Sequence, residues 1–121
     1  MPKKVLVVDD EEDYVSILTH LLKKAGYAVE SAGNGQEAIA LCEDRRPDLV
    51  LLDVQLPDME GFEVCRVLRG KGLKMPVMFC TVRSAVARVA EGLGSGGTDY
   101  VVKPFEAGDV LRRVRIALGE E

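Results

Sequence analysis

Short apolar runs alternate along this chain with stretches whose apolar residues recur at every third or fourth position, and this alternation limits the fold more than any other feature. Runs such as residues 5–8 and 49–52 are apolar throughout, which is typical of parallel strands buried on both sides. Residues 17–25 and 110–118 instead place apolar side chains at helical spacing. Repeated strand–helix units predict an α/β fold, in which right-handed crossovers place helices on both faces of a parallel sheet.

The pattern divides into five strand–helix units. Asn34, with Glu37 three residues later, has the spacing of a capping box and predicts the start of the second helix. Ser84 is a candidate N-cap for the fourth helix. Because the chain has 121 residues and no linker, repeat or low-complexity segment interrupts the pattern, we expect a single domain over residues 1–121. The predicted strands cover residues 5–8, 27–32, 49–52, 77–80 and 100–102.

Charge and hydropathy argue against two classes of partner. The net charge is −4, which disfavours direct nucleic acid binding by this domain, because a phosphate backbone is held by basic side chains. The longest apolar runs have four or five residues, whereas a bilayer-spanning helix needs about 20. The sequence has no basic start followed by a long apolar stretch, so it does not predict a signal peptide. We therefore expect a cytoplasmic domain with no membrane contact.

Five polar residues stand at or just after the ends of predicted strands. In a parallel sheet the carboxyl ends of the strands share one edge, and ligands bind in the crevice outside that edge. Residues that are distant in sequence are therefore expected to converge there. The five are Asp9 and Asp10 after the first strand, Asp53 after the third, Thr81 after the fourth and Lys103 after the fifth.

These residue types form a coherent chemical set. Three carboxylates brought together repel one another unless a cation neutralises them, and an all-oxygen cluster suits a hard ion such as Mg²⁺. A carboxylate is also able to act as a nucleophile and form an aspartyl phosphate. Lys103 would supply positive charge, and Thr81 a hydroxyl donor, for phosphoryl oxygens. Taken singly, each residue has another interpretation: the acids as helix caps or turn residues, Thr81 as a strand end, and Lys103 as a solvated loop residue.

Four segments carry a family resemblance. They are Val-Val-Asp-Asp-Glu at 7–11, Leu-Leu-Asp-Val-Gln-Leu-Pro-Asp-Met-Glu-Gly at 51–61, Thr81, and Thr-Asp-Tyr-Val-Val-Lys-Pro-Phe at 98–105. With them the chain resembles, from about residue 3 to residue 118, the response regulator receiver domains of bacterial two-component systems, including chemotaxis receivers. The resemblance implies a doubly wound, flavodoxin-like (βα)5 receiver fold with a five-stranded parallel sheet in the order 2-1-3-4-5.

The resemblance also implies roles for the residues at the strand ends. Asp53 would be the phosphoacceptor. Asp10 and Asp53 would ligate Mg²⁺ together with the backbone carbonyl of Gln55, and Asp9 would act mostly through a bound water. This set predicts a phosphoacceptor that assists its own phosphorylation and dephosphorylation, rather than an enzyme with a separate substrate.

Thr81 and Lys103 would bind the phosphoryl group, and the Lys103–Pro104 peptide bond would be cis. Tyr100 would be an aromatic switch that swings inward when Thr81 moves. A half-buried strand tyrosine is the other interpretation of Tyr100.

Three residues beside the site would tune its rates. Val82 replaces the small residue usual after the phosphoryl-binding threonine. We therefore expect slower reaction with small phosphodonors, or slower loss of phosphate, than alanine would give. Gln55 and Arg83 occupy positions that vary in the family and would act on the lifetime of the phosphate.

Partners follow from the same resemblance. A histidine kinase or histidine phosphotransfer protein would supply the phosphoryl group, docking on the first helix, where Tyr14 and Val15 are candidates; for Tyr14, core packing is equally consistent with the pattern. A downstream output domain or protein would bind the face formed by helix four, strand five and helix five. Homodimerisation through that face is a further expectation, although its charges also fit a solvated surface. The charged residues there are Asp99, Arg112, Arg113 and Arg115.

Two other functions remain open at this point. One is a receiver-fold interaction module that works without phosphorylation, for which Val82 is the only support. The other is a phosphatase with an aspartyl nucleophile. Such enzymes typically carry a second acid two residues after the nucleophile, where this chain has Gln55. A flavodoxin-like electron carrier would need a hydroxyl- and glycine-rich loop after the first strand, where this chain is acidic.

Overall fold

The computed structural model describes residues 2–120, and at Glu91 it describes the backbone alone. Strands and helices alternate as the sequence predicts, with bounds within one or two residues of those expected for most strands. The strands are β1 (Lys4–Val8), β2 (Ala28–Ala32), β3 (Leu49–Asp53), β4 (Val77–Val82) and β5 (Asp99–Lys103). The helices are α1 (Glu12–Lys24), α2 (Gly35–Arg45), α3 (Gly61–Gly70), α4 (Val89–Gly94) and α5 (Ala107–Ala117), and a 3₁₀ helix (Arg83–Arg88) precedes α4.

All the strand pairings are parallel, and the sheet order is β2-β1-β3-β4-β5. The predicted order 2-1-3-4-5 is thereby confirmed. The register aligns Val8 of β1 with Leu52 of β3, and Asp53 with Cys80 of β4. Asp9 and Asp53 therefore leave neighbouring strands at the same level of the sheet.

Alternate residues of the central strands supply two separate cores. Val5 and Val7 of β1 pack with residues of α1 and α5 on one face, whereas Leu6 and Val8 pack with residues of α2 and α3 on the other. Side chains of a strand point to opposite faces in turn, so each of these residues is buried whichever way it points. This double burial explains why the strands are apolar throughout.

The start of α2 is held by several side chains. Asn34 accepts a hydrogen bond from the backbone N–H of Glu37 at 2.8 Å, and Glu37 accepts one from the N–H of Gly33 at 2.8 Å. The predicted N-cap at Asn34 is thereby confirmed, while Glu37 bonds the N–H of Gly33 and not that of Asn34, as a capping box would require. Asp58, from the segment after β3, adds bonds from the N–H groups of Gly35 and Gln36 at 2.8 and 2.9 Å.

The fourth helix differs from the prediction. Ser84 lies inside the 3₁₀ helix rather than at an N-cap, and Val82 at the cap position makes no side-chain bond to the helix. The α-helix begins only at Val89 and ends after six residues. Gly92 and Gly94 lie in its last turn, and glycine lowers helix stability, which favours an early end of this helix.

Residues 2–120 contain no helix that is both long and apolar enough to cross a bilayer.

Candidate functional site

The carboxyl ends of four strands bring the predicted side chains together, as expected. Asp9 follows β1, Asp53 ends β3, Thr81 is the next-to-last residue of β4, and Lys103 ends β5. All four are buried, whereas Asp10, beside Asp9, is exposed. Buried charges require partners, and here the partners are one another.

Lys103 is the cation of this site. Its Nζ lies 2.9 Å from Asp9 Oδ2 and 3.4 Å from Asp53 Oδ2, and its side chain is only 4% exposed. Burial lowers the pKa of Lys103, but the contact with Asp9 and the negative charges of Asp53 and Asp9 outweigh burial, so the pKa is raised. Lys103 is therefore a fixed positive charge beside Asp53 at neutral pH.

The Asp53 carboxylate is held in an unfavourable state. Burial, and next the charge of Asp9, raise its pKa to about 6, although Lys103 and the N–H of Gln55 oppose this shift. Gln55 donates that bond to Asp53 Oδ1 at 3.2 Å. One ammonium thus does not neutralise the two buried carboxylates, and a second cation would be favourable here.

The arrangement fits a hard divalent cation. Asp9, Asp10 and Asp53 each offer one carboxylate oxygen, and these oxygens lie within 4.8 Å of one another. Within residues 2–120, Asp9 Oδ2 is buried without an aligned hydrogen-bond donor, although the Lys103 ammonium lies beside it as an ion pair. Mg²⁺ prefers carboxylate oxygens and keeps part of its water shell, which the exposed side of the cluster at Asp10 allows.

The segment after β3 is shaped by a glycine. A Cβ on Gly61 would lie 2.3 Å from the carbonyl oxygen of Asp53, so no other residue fits without moving the backbone. The N–H of Gly61 donates to the carbonyl of Val54 at 2.9 Å, which closes the segment. Together with Asp58 on the start of α2, this contact fixes the loop that carries Asp53 and Gln55.

The hydroxyl of Thr81 is turned toward its own backbone. It donates to the carbonyl of Val82 at 3.2 Å, and the residue is buried. Tyr100, on β5, is half-buried, packs against the core shared with α2 and α3, and lies under the guanidinium of Arg113, 5.4 Å from the ring centroid. The switch role of both residues stays a prediction.

An open cleft of about 460 Å³ leads to Asp53. Gln55 and Val82 line it, and Val82 is 48% exposed. Arg83 instead lines a separate groove of about 330 Å³ with Pro104 and Glu106. The three predicted rate-tuning residues therefore occupy two different surfaces.

Three contacts at the site have no counterpart in the sequence prediction. Arg88 lines the cleft, forms an ion pair with Glu60 and lies over the Phe62 ring at 5.3 Å. Lys103 Nζ lies 4.1 Å from the centroid of the Tyr14 ring. A short-range pattern identifies none of these three pairs, because the partners come from distant segments.

Two other expectations concern β5 and α5. The Lys103–Pro104 peptide bond is cis, as predicted. Arg113 pairs within the chain with Asp99 at 2.6 Å and with Asp109 at 3.1 Å. Pairing of Asp99 and Arg113 across a dimer would therefore have to replace contacts that are already made.

Comparison with known proteins agrees with this geometry. The family described as the response regulator receiver domain matches residues 5–115. The alkaline phosphatase synthesis transcriptional regulatory protein PhoP of Bacillus subtilis (strain 168) is 42% identical over 118 residues, which cover 98% of this chain and 49% of PhoP. The DNA-binding response regulator MtrA of Mycolicibacterium smegmatis is 41% identical over 98% of this chain and 51% of MtrA. The chain thus spans about half the length of these curated relatives.

Solved structures give the same result. The chemotaxis protein CheY4 of Vibrio cholerae superposes with a TM-score of 0.91 at 33% identity, over 98% of this chain and 100% of CheY4. A CheY-like response regulator receiver domain protein of Methanospirillum hungatei JF-1 superposes with a TM-score of 0.91 at 28% identity, over 98% of this chain and 95% of that one. The chain therefore belongs to the response regulator receiver domain family of two-component systems.

Proposed function

We propose that this receiver domain is a phosphoacceptor in which Asp53 takes a phosphoryl group from a phosphohistidine of a histidine kinase or phosphotransfer protein, in a Mg²⁺-dependent reaction. The observation that carries the proposal is the site at the base of the open cleft. There, carboxylate oxygens of Asp9, Asp10 and Asp53 lie within 4.8 Å of one another, and the Lys103 ammonium lies 3.4 Å from Asp53. No capping or packing role requires this arrangement of charges.

In the proposed reaction a carboxylate oxygen of Asp53 attacks phosphorus. The phosphorus–nitrogen bond of the donor breaks, the nitrogen leaves with its electron pair and takes up a proton, and an acyl phosphate forms on Asp53. Asp10, Asp53 and the Gln55 carbonyl would hold Mg²⁺, with Asp9 acting through a water. Mg²⁺, when bound, would neutralise charge that the carboxylates and the phosphoryl oxygens share.

Lys103 and Thr81 would then bind the phosphoryl oxygens. Lys103 already lies beside Asp53, whereas the Thr81 hydroxyl must leave the Val82 carbonyl to reach the new group. We propose that this movement lets Tyr100 turn inward and alters the face of α4, β5 and α5, which a downstream output domain or protein binds. The same face is the proposed site of homodimerisation.

The wider setting is also a proposal. PhoP is named as a transcriptional regulatory protein and MtrA as DNA-binding. We propose that the receiver domain itself, with its net charge of −4, controls an output without contacting nucleic acid. We place it in the cytoplasm, as a phosphoacceptor that assists its own phosphorylation and dephosphorylation and has no separate substrate.

Intact-mass spectrometry tests the proposal. Incubation with Mg²⁺ and phosphoramidate is expected to add one phosphoryl group, about 80 Da, and EDTA or Asp53→Ala is expected to abolish the gain. Asp44→Ala is the matched control, because the Asp44 side chain is 79% exposed on α2, outside the site. A parallel assay measures Mg²⁺-dependent binding of beryllofluoride.

No mass gain and no beryllofluoride binding would contradict phosphorylation and leave the interaction module as the function. Turnover of a general phosphate ester would instead indicate a phosphatase.

Val82 provides a second test. Because its branched, exposed side chain lines the cleft, Val82→Ala is expected to accelerate reaction with phosphoramidate or to accelerate loss of phosphate from Asp53. Both rates are measured by intact mass over time. If both rates stay unchanged, the proposed control of access by Val82 is wrong.

A further inference from the structure

We propose that Tyr14 is a positioning residue of the phosphoacceptor site, whose ring face holds the Lys103 ammonium in place beside Asp53. The inference rests on the phosphoacceptor function proposed above and goes beyond it, because it assigns a task to a residue outside the set of acids, hydroxyl and lysine. Aromatic ring faces attract ammonium groups through the ring quadrupole, and the attraction grows where water is excluded.

The contact with Lys103 has the geometry that such attraction requires. Lys103 Nζ lies 4.1 Å from the Tyr14 ring centroid, well within the roughly 6 Å over which the attraction acts. The ammonium is almost fully buried and has Asp9 at 2.9 Å and Asp53 at 3.4 Å. The ring therefore completes the surroundings of a charge that water scarcely reaches.

The ring itself is held from a second side. Tyr14 lies in the first turn of α1, just after the acidic segment that follows β1. The Phe105 ring packs against it at a centroid distance of 5.5 Å and an interplanar angle of 79°, an edge-to-face arrangement. Phe105 follows the Lys103–Pro104 bond, so the two rings connect the segments that carry Asp9 and Lys103.

A ring face suits this position better than another acid would. The lysine stem is flexible, and Asp9 lies closer to the ammonium than Asp53 does. A third buried carboxylate would strengthen repulsion in a site that already holds an excess of negative charge. Tyr14 stabilises the ammonium without adding charge to the site.

Phenylalanine analogues at position 14 test the contact with little change of shape. Phenylalanine carrying no, one, two or three ring fluorines keeps the ring size but progressively weakens the attraction for a cation. The rate of reaction with phosphoramidate at saturating Mg²⁺ is expected to fall stepwise along the series. Tyr14→Phe should retain nearly the full rate, whereas Tyr14→Leu, which keeps bulk but has no ring, should lose about three- to tenfold.

Two further readouts separate positioning from general damage. In the unphosphorylated protein, NMR signals of the Lys103 side-chain CH₂ groups should shift upfield through the ring current of Tyr14, and lose that shift in Tyr14→Leu. The affinity for Mg²⁺ alone, measured from the shift in thermal unfolding, should be the same in the Tyr14 variants as in the native protein. The reason is that Tyr14 contacts the lysine and not the ion. Tyr27→Leu is the matched control: Tyr27 lies at the other edge of the sheet, where its hydroxyl bonds Glu120.

The outcomes are distinct. A graded loss of rate with an unchanged Mg²⁺ affinity supports the proposal. A flat fluorine series, or equal rates for Tyr14→Leu and Tyr14→Phe, overturns it. If the protein with its native Tyr14 gains no phosphoryl group, the proposed function fails. Equal mass gain at equal rates in every variant would overturn the positioning role alone. Because phosphoramidate needs no kinase, a role of Tyr14 in kinase docking cannot produce the loss of rate.

Discussion

Two clusters in this domain have the same composition, one cation between two aspartates, and opposite physical states. Lys103 lies between Asp9 and Asp53 at the carboxyl edge of the sheet, and its side chain is 4% exposed. Arg113 lies between Asp99 and Asp109 on the face of β5 and α5, where the side chains are 27–35% exposed. We refer to them as the site cluster (Asp9, Asp53, Lys103) and the face cluster (Asp99, Asp109, Arg113).

The pKa values of Asp53, in the site cluster, and Asp109, in the face cluster, move in opposite directions. In the site cluster, burial and the charge of Asp9 raise the pKa of Asp53 to about 6. In the face cluster, burial would raise the pKa of Asp109, but hydrogen bonds from Arg113 and Arg112 outweigh it, and the pKa is lowered. Water and the guanidinium donors stabilise the charged carboxylates of the face cluster, whereas the buried site cluster retains excess negative charge. Such an excess lowers the stability of the fold and would favour the binding of a cation at Asp53.

Removal of the basic side chain should give the largest difference in stability loss between the two clusters. Lys103→Met leaves two buried carboxylates uncompensated and is expected to destabilise the metal-free protein by about 3 kcal/mol at neutral pH. Arg113→Met should cost about 1 kcal/mol or less, because water reaches the acids of the face cluster. Urea unfolding in EDTA measures both. Equal losses for the two variants would show that burial does not distinguish the clusters.

Addition of Mg²⁺ should neutralise the excess negative charge of the site cluster and so stabilise the fold, with no such effect at the face cluster. An ion that binds only the folded state stabilises it by about 2.7 kcal/mol at a concentration about 100 times its dissociation constant. Thermal unfolding is therefore expected to shift upward with Mg²⁺ in the native protein and in Asp109→Asn. In Asp53→Asn the shift should be largely lost. Because the proton competes for Asp53, whose pKa is about 6, the stabilisation should also weaken as the pH falls through that value.

Neutralisation of one acid should change the free energy of unfolding in opposite directions in the two clusters. Without Mg²⁺, Asp53→Asn is expected to stabilise the fold by about 2 kcal/mol near neutral pH, because it removes a carboxylate whose pKa is raised. Asp109→Asn should instead destabilise by about 0.5 kcal/mol, because Asp109 is partly exposed and screened. Both values come from urea unfolding.

The pH dependence follows from the sign of the shift. The folded protein takes up a proton at Asp53 at a higher pH than the unfolded chain, whose value is near 3.8. The advantage of Asp53→Asn is therefore full above about pH 6, declines as the pH falls, and is gone near pH 4. An advantage that persists in acid would mean that the stabilisation has another cause, such as repacking.

The sequence predicted the site cluster because topology places it. Once the apolar runs were assigned to a parallel sheet, Asp9, Asp53 and Lys103 had to meet at one edge, and they do. The N-cap of α2 at Asn34 was predictable for a similar reason, because its bond from Glu37 lies within one turn of chain. Structural features that depend only on local geometry or on strand order can therefore be predicted from the sequence.

Side-chain contacts between distant segments were not predictable. Helical spacing placed Tyr14 on an apolar face, but the spacing does not show that the ring would meet Lys103. In the same way, the pairing of Arg88 with Glu60 depends on how the segment after β4 packs, and in that segment the predicted N-cap at Ser84 was wrong. Nor did the helical spacing after β4 indicate that residues 83–88 would form a 3₁₀ helix.

The face cluster offers the smallest and most selective test. A double-mutant cycle of Asp99→Ala and Arg113→Ala is expected to give a coupling free energy of about 0.5 kcal/mol, the range of partly exposed ion pairs. Arg113 keeps its ion pair with Asp109 when Asp99 is replaced, which keeps the coupling free energy low. The coupling should nearly vanish in about 1 M NaCl, since salt screens charges that water reaches. The same salt should change the effect of Lys103→Met much less. If the coupling survives salt undiminished, the face cluster is as shielded as the site cluster, and the distinction between them fails.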